Sequence, residues 1–209
     1  MKIIISTHNK DKLEELLVAS KGLNNEIDFS TLEDFPNIGD IEETGKTLEE
    51  NALIKARTVH SITGLPALSD DTGLEVDALH GAPGVYTARY AGENCSYMDN
   101  VNKLLESMLK VPIPNRTAQF KTVVAYVDSN VELIAEGCAK GFISRAAIGD
   151  NGFGYDPIFF IPEVEKTFAE MKIEEKEIYS HRGKAIRQMF NLLKEHFNNL
   201  NKQNTKEMA

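Results

Sequence analysis

Two adjacent carboxylates, Asp70 and Asp71, follow directly after a short apolar run at residues 65–68. Carboxylates this close repel one another, and each raises the pKa of the other unless a cation lies between them. A divalent metal ion is the usual cation, and carboxylate oxygens suit Mg²⁺. The alternative is an acidic turn on a solvated surface. The pattern therefore predicts a short strand that ends at this pair, followed by a glycine-rich segment that closes on Arg89 and Tyr90.

The composition limits the classes of ligand. The 209 residues are enough for one well-packed domain, which we place at residues 1–200, with a frayed polar tail at residues 201–209. There are 23 Lys and Arg residues against 32 Asp and Glu residues, so the formal net charge is −9. A uniformly acidic chain binds nucleic acid polymers poorly, but it binds a small anion where basic residues converge.

The cysteines and the apolar runs indicate the compartment. Cys95 and Cys138 are far apart, and neither belongs to a C-x-x-C pair or has a histidine at ligand spacing. This favours two reduced thiols over a disulfide or a zinc site. No apolar run has the length of a signal peptide or a membrane span. We therefore expect a cytoplasmic protein with no membrane partner.

Helix and strand signals alternate along the chain. A β-branched run at residues 2–6 predicts a buried strand, and the apolar spacing over residues 11–20 predicts the next helix. Thr47 opens a second helix with a T-L-E-E capping box, and Gly64 with Pro66 ends it. The other predicted elements are a strand and turn at 29–35, a strand at 66–69, a helix at 97–109, a hairpin of strands 117–127 and 131–140, a strand at 158–161 and a helix at 181–200. Parallel and hairpin connections both occur, which indicates an α/β fold with a mixed sheet.

A polar loop separates the first strand from the first helix. A helix start offers free backbone N–H groups to an anion, and the Lys12 ammonium lies one turn inside this helix. Asn9 stands at the junction itself. The loop is therefore a candidate phosphate site, with an ordinary polar surface loop as the alternative interpretation.

The helix that begins at Thr47 carries a polar stripe. Asn51 and Lys55 are four residues apart, so they share one face of the helix. The stripe is either a solvated face or a lysine that points into a cleft. Glu43 precedes this helix, and together with Asp71 it supplies two oxygen ligands for one Mg²⁺.

Two later segments carry aromatic and charged residues that suit a purine base. Phe153 stands between two glycines, an arrangement that allows a ring to stack on a base, and Asp156 supplies an acceptor for a purine edge. Ser180 is a good N-cap, and His181 with Arg182 would place donors on a base carbonyl. The alternatives are a tight turn into a strand and a solvated helix start.

Five segments in this order resemble the inosine/xanthosine triphosphate pyrophosphatases, the Ham1-like family that removes deaminated purines from the nucleotide pool. They are STHNKDKLEEL, EETGKTLEENALIKA, SDDTGLEVDALHGAPGVYTARYAG, GFGYDPIFF and EEKEIYSHRGKA, and the match runs from Ile3 to about Phe197. Two positions depart from the family pattern. His8 stands where glycine is usual, and Thr72 replaces a common serine but keeps the hydroxyl.

The resemblance implies an elongated mixed sheet with flanking helices and two lobes around a substrate cleft. A nucleoside triphosphate such as ITP, dITP or XTP would bind there with Mg²⁺, water would attack the α-phosphorus, and pyrophosphate would leave. The resemblance also implies a homodimer. The alternatives are a pyrophosphatase of related fold that acts on pyrimidine or modified nucleotides, and a nucleotide sensor without turnover.

The resemblance further implies roles for single residues. Asp71 would be the general base and a metal ligand, and Glu43 the second metal carboxylate, with Asp70 or Glu42 in support. Phe153 would stack on the base. The implied substrate-binding residues are Thr7, His8, Asn9, Lys10, Asp11, Lys12, Lys55, Thr72, Phe153, Gly154, Tyr155, Asp156, Lys176, His181 and Arg182.

Overall fold

The computed structural model describes residues 2–21 and 27–207, and describes side chains up to residue 199. The helices are α1 (Lys10–Ser20), α2 (Leu48–Thr63), α3 (Tyr97–Ser107), α4 (Ile173–Tyr179) and α5 (His181–Glu207). The strands are β1 (Lys2–Ile5), β2 (Asp28–Thr31), β3 (Ala67–Val76), β4 (Pro83–Gly84), β5 (Thr117–Val127), β6 (Glu132–Ile143), β7 (Phe159–Ile161) and β8 (Lys166–Thr167).

All of these strands form one mixed sheet. The strand order is β2-β1-β3-β5-β6-β7-β8, and β4 pairs with β3 beside this path. β1 is parallel to β2 and β3, whereas β3, β5, β6, β7 and β8 pair antiparallel in succession. The predicted α/β fold with a mixed sheet and flanking helices is therefore confirmed. The division into two lobes stays a prediction.

Helices cover both faces of the sheet, as the alternation of β5 shows. Val124 and Tyr126 pack in one apolar cluster with residues of α1 and α5. Val123 and Val127 pack in another cluster with residues of α2. Because successive side chains of a strand point to opposite faces, α5 and α2 lie on opposite sides of the sheet.

β3 is longer than the sequence pattern predicted. The prediction that a strand ends at the carboxylate pair is wrong, because Asp70 and Asp71 lie inside β3, which pairs with β5 along its whole length. Gly73 lets the strand continue, since a Cβ there would lie 2.8 Å from the carbonyl oxygen of Gly84 in β4. The adjacent carboxylates point to opposite faces of the strand, which separates their charges.

α2 begins and ends where the sequence predicted. The Thr47 side chain accepts a hydrogen bond from the backbone N–H of Glu50 at 3.1 Å, and the Glu50 carboxylate accepts one from Thr47 N at 3.3 Å. Gly64 ends the helix with a φ of 69°, a conformation that glycine adopts without strain. Asn51 and Lys55 are buried on the inner face of this helix.

The last helix extends beyond its predicted end. The backbone of α5 is helical as far as Glu207, so it includes most of the segment expected as a tail. Fraying of residues 201–207 stays a prediction, and residues 208 and 209 lie outside the described part of the chain. None of the helices in residues 2–21 and 27–207 combines the length and apolar character that crossing a bilayer requires.

Candidate active site

A cleft of about 380 Å³ brings together distant parts of the chain. Its walls come from the β1–α1 loop, the loop before α2 and α2 itself, the middle of β3, the segment after β4, α3, β5, the turn at residues 153–156, α4 and the start of α5. The predicted site residues that line it are Thr7, His8, Asn9, Lys12, Glu43, Lys55, Asp71, Thr72, Phe153, Gly154, Tyr155, Asp156, Lys176, His181 and Arg182.

Four residues from the sequence-based assignment lie elsewhere. The Lys10 side chain is 87% exposed, with its Nζ 3.9 Å from Glu33. Asp11 accepts a hydrogen bond from the Tyr97 hydroxyl at 3.0 Å and is not part of the cleft wall. Glu42 and Asp70 do not line the cleft either. Asp70 is buried behind the wall, and its support of a metal ion held by Glu43 and Asp71 stays a prediction.

α1 begins at the cleft wall. Asn9 is its N-cap, and its side-chain oxygen accepts a hydrogen bond from the Lys12 backbone N–H at 3.0 Å. The Lys12 ammonium lies 3.4 Å from an Asp70 oxygen. Burial lowers the pKa of Lys12 although Asp70 opposes the change, so an anion bound at this point would favour the charged form of the lysine.

Glu43, Asn51, Lys55 and Asp71 form what we call the open cluster. The Lys55 Nζ donates to a Glu43 oxygen at 2.6 Å and to the Asp70 backbone carbonyl at 2.6 Å, and lies 3.8 Å from Asp71 Oδ1. Two carboxylates thus share a single ammonium. Lys55 lies where a cleft lysine was predicted, on the buried face of α2.

Asn51 joins the two acidic parts of the open cluster. Its Nδ2 donates to Asp71 Oδ2 at 3.1 Å, and its Oδ1 accepts from the backbone N–H of Gly45 at 2.8 Å. Gly45 lies two residues after Glu43, in the loop that carries this carboxylate. A side chain at position 45 would clash, because a Cβ there would lie 2.6 Å from Asn51 Oδ1. Asn51 therefore fixes the orientation of Asp71 relative to the loop of Glu43.

The electrostatics of the open cluster favour an additional cation. Burial raises the pKa of Asp71, and this effect outweighs the lowering by Lys55 and Lys12, while Glu43 raises the pKa further. Two carboxylates that face the cleft and share one ammonium are hard oxygen donors, which fit a divalent ion such as Mg²⁺. Among the described residues, no group of three or more His, Cys, Asp or Glu side chains is arranged to hold a metal. Water and substrate oxygens would therefore complete the coordination.

A second set of charged side chains, which we call the closed cluster, lies beside the first. Every member contacts a group of opposite charge, and all but Lys12 are buried. The members are Lys12, Glu15, Asp70, Asp156, Lys176 and Arg182. Three carboxylates balance three cations, so this cluster carries no uncompensated charge.

Glu15 links the two cations at the base of the cleft. One of its oxygens accepts from Lys176 and the other from Arg182. Burial alone would raise the pKa of Glu15, but Arg182 and Lys176 together lower it below its ordinary value. Lys176 also donates to Asp156, whose carboxylate accepts from the backbone N–H of Phe153 at 2.8 Å. Glu15 is a buried support for residues that face the cleft.

The Arg182 guanidinium is mostly occupied by protein acceptors. Its Nε and one terminal nitrogen each donate to Asp70 Oδ2 at 3.1 Å, and that nitrogen also donates to the Thr72 hydroxyl at 3.0 Å. The other terminal nitrogen donates to Glu15. A guanidinium has five N–H donors. One therefore remains without a partner among the described residues, and Arg182 lines the cleft.

Aromatic rings lie next to the closed cluster. The Phe153 ring centroid lies 5.1 Å from the Lys176 Nζ and 5.7 Å from the Tyr97 ring. The His181 ring stacks on Phe120 with a centroid separation of 4.5 Å and an angle of 11°. Burial and the nearby Arg182 and Lys176 charges lower the pKa of His181 well below 6.5. His181 is therefore neutral at pH 7, and its Nδ1 is buried without a hydrogen-bond partner among the described residues.

Sequence reasoning missed several residues of the site. Glu15 lies one helical turn after Asp11 in α1, and nothing in the local pattern distinguishes it from a solvated glutamate. Tyr97 lines the cleft from outside the five segments, and Arg89 lines it from the third segment, where it was given no role. Asn51 was placed on the correct face but given no function. Its position four residues before Lys55 was the one available signal.

The fold and the site together define a mixed-sheet α/β protein with one cleft that contains both charged clusters. The sequence model of the Ham1 family matches residues 3–192. A curated relative named dITP/XTP pyrophosphatase, from Elusimicrobium minutum, is 48% identical over 197 residues, which is 93% of this chain and 100% of the relative. A second relative with the same name, from Thermoanaerobacter pseudethanolicus, is 48% identical over 92% of this chain and 96% of its own length.

Solved structures agree with the sequence relatives. The Ham1 protein of Staphylococcus aureus superposes with a TM-score of 0.83 at 36% identity, covering 94% of this chain and 100% of the other. A HAM1 protein from Coxiella burnetii gives a TM-score of 0.84 at 41% identity, covering 93% of this chain and 99% of the other. The chain belongs to the Ham1 family.

Proposed function

We propose that this chain hydrolyses deaminated purine nucleoside triphosphates, such as ITP, dITP and XTP, to a nucleoside monophosphate and pyrophosphate. The observation that carries the proposal is the arrangement of the two clusters. An acidic cluster with too few cations adjoins a charge-balanced cluster and an aromatic ring in one cleft. The names of the relatives, dITP/XTP pyrophosphatases over nearly the whole chain, support the same substrate class.

The open cluster would carry the chemistry. Asp71 would accept a proton from the water that attacks the α-phosphorus, and Asn51 holds its carboxylate in a fixed orientation. Lys55, together with Lys12 of the closed cluster, would hold phosphate oxygens and neutralise their charge, which is most of what a protein contributes to phosphoryl transfer. Glu43 and Asp71 would hold Mg²⁺. When bound, this ion supplies charge neutralisation and lowers the pKa of a coordinated water.

The closed cluster and its neighbours would read the base. Phe153 offers a ring for stacking, and the remaining Arg182 N–H offers a donor to the 6-oxo group of inosine or xanthine. Adenine presents an amino group at the same position, so the Arg182 N–H would face another hydrogen-bond donor. A site built on buried hydrogen bonds rejects such a mismatch by about 10⁴-fold. Because the closed cluster keeps Arg182 in place, it would fix this donor before substrate arrives.

The proposal is tested by product analysis. The protein is incubated with Mg²⁺ and separately with ITP, XTP, dTTP, GTP or ATP, and pyrophosphate and orthophosphate are quantified. We expect pyrophosphate from ITP and XTP, with slow turnover of the other three. Orthophosphate as the direct product would contradict attack at the α-phosphorus. Faster turnover of dTTP would favour a pyrimidine substrate, and binding without turnover would favour a sensor.

We further propose that the protein acts in the cytoplasm as a homodimer. Cys95 and Cys138 are free thiols, as expected in a reducing compartment. The dimer rests on the family resemblance alone. Sedimentation equilibrium at micromolar concentration tests it, and a mass equal to one chain would contradict it.

A further inference from the structure

Arg89 differs from every other lysine or arginine that lines the cleft. Lys12 pairs with Asp70, Lys55 with Glu43, and Lys176 and Arg182 with the carboxylates of the closed cluster. Arg89 is half-buried in the cleft wall, yet it forms no ion pair with any residue in the described ranges. Its guanidinium carbon lies 5.4 Å from the centroid of the Tyr86 ring, so its contact is with an aromatic face.

The turn that carries Arg89, residues Thr87–Arg89, is held rigidly by hydrogen bonds. The Thr87 hydroxyl accepts from Leu74 N in β3 at 2.8 Å, and the Tyr155 hydroxyl donates to the Thr87 carbonyl at 2.9 Å. The buried Asn100 donates to the Ala88 carbonyl at 3.0 Å. The backbone that carries Arg89 is therefore fixed before a ligand binds.

The turn also lies next to the loop that carries Glu43. Val85, two residues before Thr87, packs in the same apolar cluster as Ile41, two residues before Glu43. Both segments contribute to the cleft wall. The turn that carries Arg89 therefore shares one wall of the cleft with the loop of Glu43.

We propose that Arg89 binds the β- and γ-phosphates of the substrate, which become the leaving pyrophosphate. This inference rests on the proposed function. A nucleoside triphosphate carries a charge of about −4, and the cleft cations other than Arg89 are already balanced by carboxylates. A guanidinium forms two parallel hydrogen bonds to a phosphate, so it suits the terminal phosphates better than a point charge would. The role makes Arg89 a substrate contact beyond the residues assigned by resemblance.

The test compares inhibition by the two products. In Arg89→Ala we expect the KM for ITP and the inhibition constant of pyrophosphate to rise about 10- to 100-fold, because a charged hydrogen bond is lost. The inhibition constant of IMP should not change, because IMP lacks the terminal phosphates. Arg89→Lys keeps the charge but loses the paired N–H donors of the guanidinium. Its KM for ITP and its inhibition constant for pyrophosphate should lie between those of wild type and Arg89→Ala. Arg145→Ala is the matched control, because Arg145 is exposed and lies outside the cleft wall.

Two outcomes would overturn the proposal. One is an Arg89→Ala variant with unchanged constants for ITP and pyrophosphate. The other is an equal rise in the inhibition constants of pyrophosphate and IMP, which would place the Arg89 contact away from the leaving pyrophosphate. Calorimetric binding of pyrophosphate to wild type and Arg89→Ala in Mg²⁺ buffer does not depend on turnover. If wild type fails to hydrolyse ITP, the proposed function fails, and the pyrophosphate comparison still decides the role of Arg89.

Discussion

The open and closed clusters are neighbours in one cleft, but their charges are arranged differently. In the closed cluster every member contacts an opposite charge, and all but Lys12, whose side chain is 17% exposed, are almost fully buried. The open cluster places Glu43 and Asp71 around the single ammonium of Lys55, and the Glu43 side chain is 30% exposed. One cluster is complete without a ligand, and the other is short of one positive charge.

This difference separates structure from chemistry. Ion pairs that balance one another in a dry interior hold side chains in a fixed geometry, which suits recognition of a base. Burial disfavours the ionised form of Asp71, and the Glu43 charge adds to this effect, so the pKa of Asp71 is raised despite Lys55 and Lys12. That cost is removed when a metal ion with its anionic substrate arrives. Neutralising the two clusters should therefore have opposite effects on stability.

The largest expected effect is on activity when the open cluster loses its base. Asp71→Asn should lower kcat for ITP by roughly 10³-fold, since a general base contributes about 10²- to 10⁴-fold. The measurement is pyrophosphate release at saturating ITP and Mg²⁺. Asp150→Asn, the same change at an exposed position, is the control and should keep wild-type kcat. A rate for Asp71→Asn near that of wild type would remove Asp71 from the mechanism.

Arg182→Met should give the largest loss of stability. It leaves Glu15 and Asp70 short of a buried partner, and breaking a buried ion pair costs about 3–5 kcal/mol in the free energy of unfolding. Arg57→Met is the control, because the pair of Arg57 with Glu132 is exposed and worth about 1 kcal/mol or less. Both are measured by urea unfolding at pH 7.

The comparison becomes sharper with Asp71→Asn in the same assay. Because the site disfavours the Asp71 charge, neutralising it should leave the free energy of unfolding unchanged or raise it by about 1 kcal/mol. If Asp71→Asn and Arg182→Met destabilise the protein equally, the distinction between the clusters is wrong.

Features that depend on neighbouring residues were predicted from the sequence, whereas contacts between distant residues were not. The ends of α2 were predicted because a capping box and a C-terminal glycine act within a few residues. The cleft positions of Glu43, Lys55 and Asp71 came from motifs whose residue types suit metal and phosphate. These are local signals, and the structure contains the elements they describe.

Partners far apart in the chain left no local signal. Asp70 pairs with Arg182, 112 positions away, and Glu15 with Lys176, 161 positions away. The sequence-based assignment therefore gave Asp70 as a possible support for the metal ion. In β3 the Asp70 side chain points to the opposite face of the sheet from Asp71. Only the register of the sheet and the packing of α1 against α4 and α5 decide which charges meet.

A moderate effect is expected on metal dependence. Glu43→Gln removes the negative charge of one of the two carboxylates that are proposed to bind Mg²⁺. The Mg²⁺ concentration that gives half-maximal ITP hydrolysis should therefore rise about tenfold or more. Glu49→Gln, on the exposed part of α2, is the control. An unchanged Mg²⁺ requirement would exclude Glu43 as a ligand, whereas a lower kcat with unchanged Mg²⁺ dependence would assign it to positioning of Lys55.

The smallest effect concerns His181 and the pH dependence of stability. Burial, together with the nearby Arg182 and Lys176 charges, holds the folded-state pKa of His181 well below the unfolded value of 6.5. Below pH 6.5 the unfolded chain therefore binds a proton that the folded chain does not, so stability falls as the pH falls from 6.5 toward the folded pKa. When the pH is lowered from 7.5 to 5.5, the free energy of unfolding should fall by about 1 kcal/mol more in wild type than in His181→Gln, since one pKa unit corresponds to 1.36 kcal/mol. Both values are measured by urea unfolding. His8→Gln, which removes an exposed imidazole, is the control for the substitution itself. Equal slopes for wild type and His181→Gln would mean that the site does not keep His181 neutral.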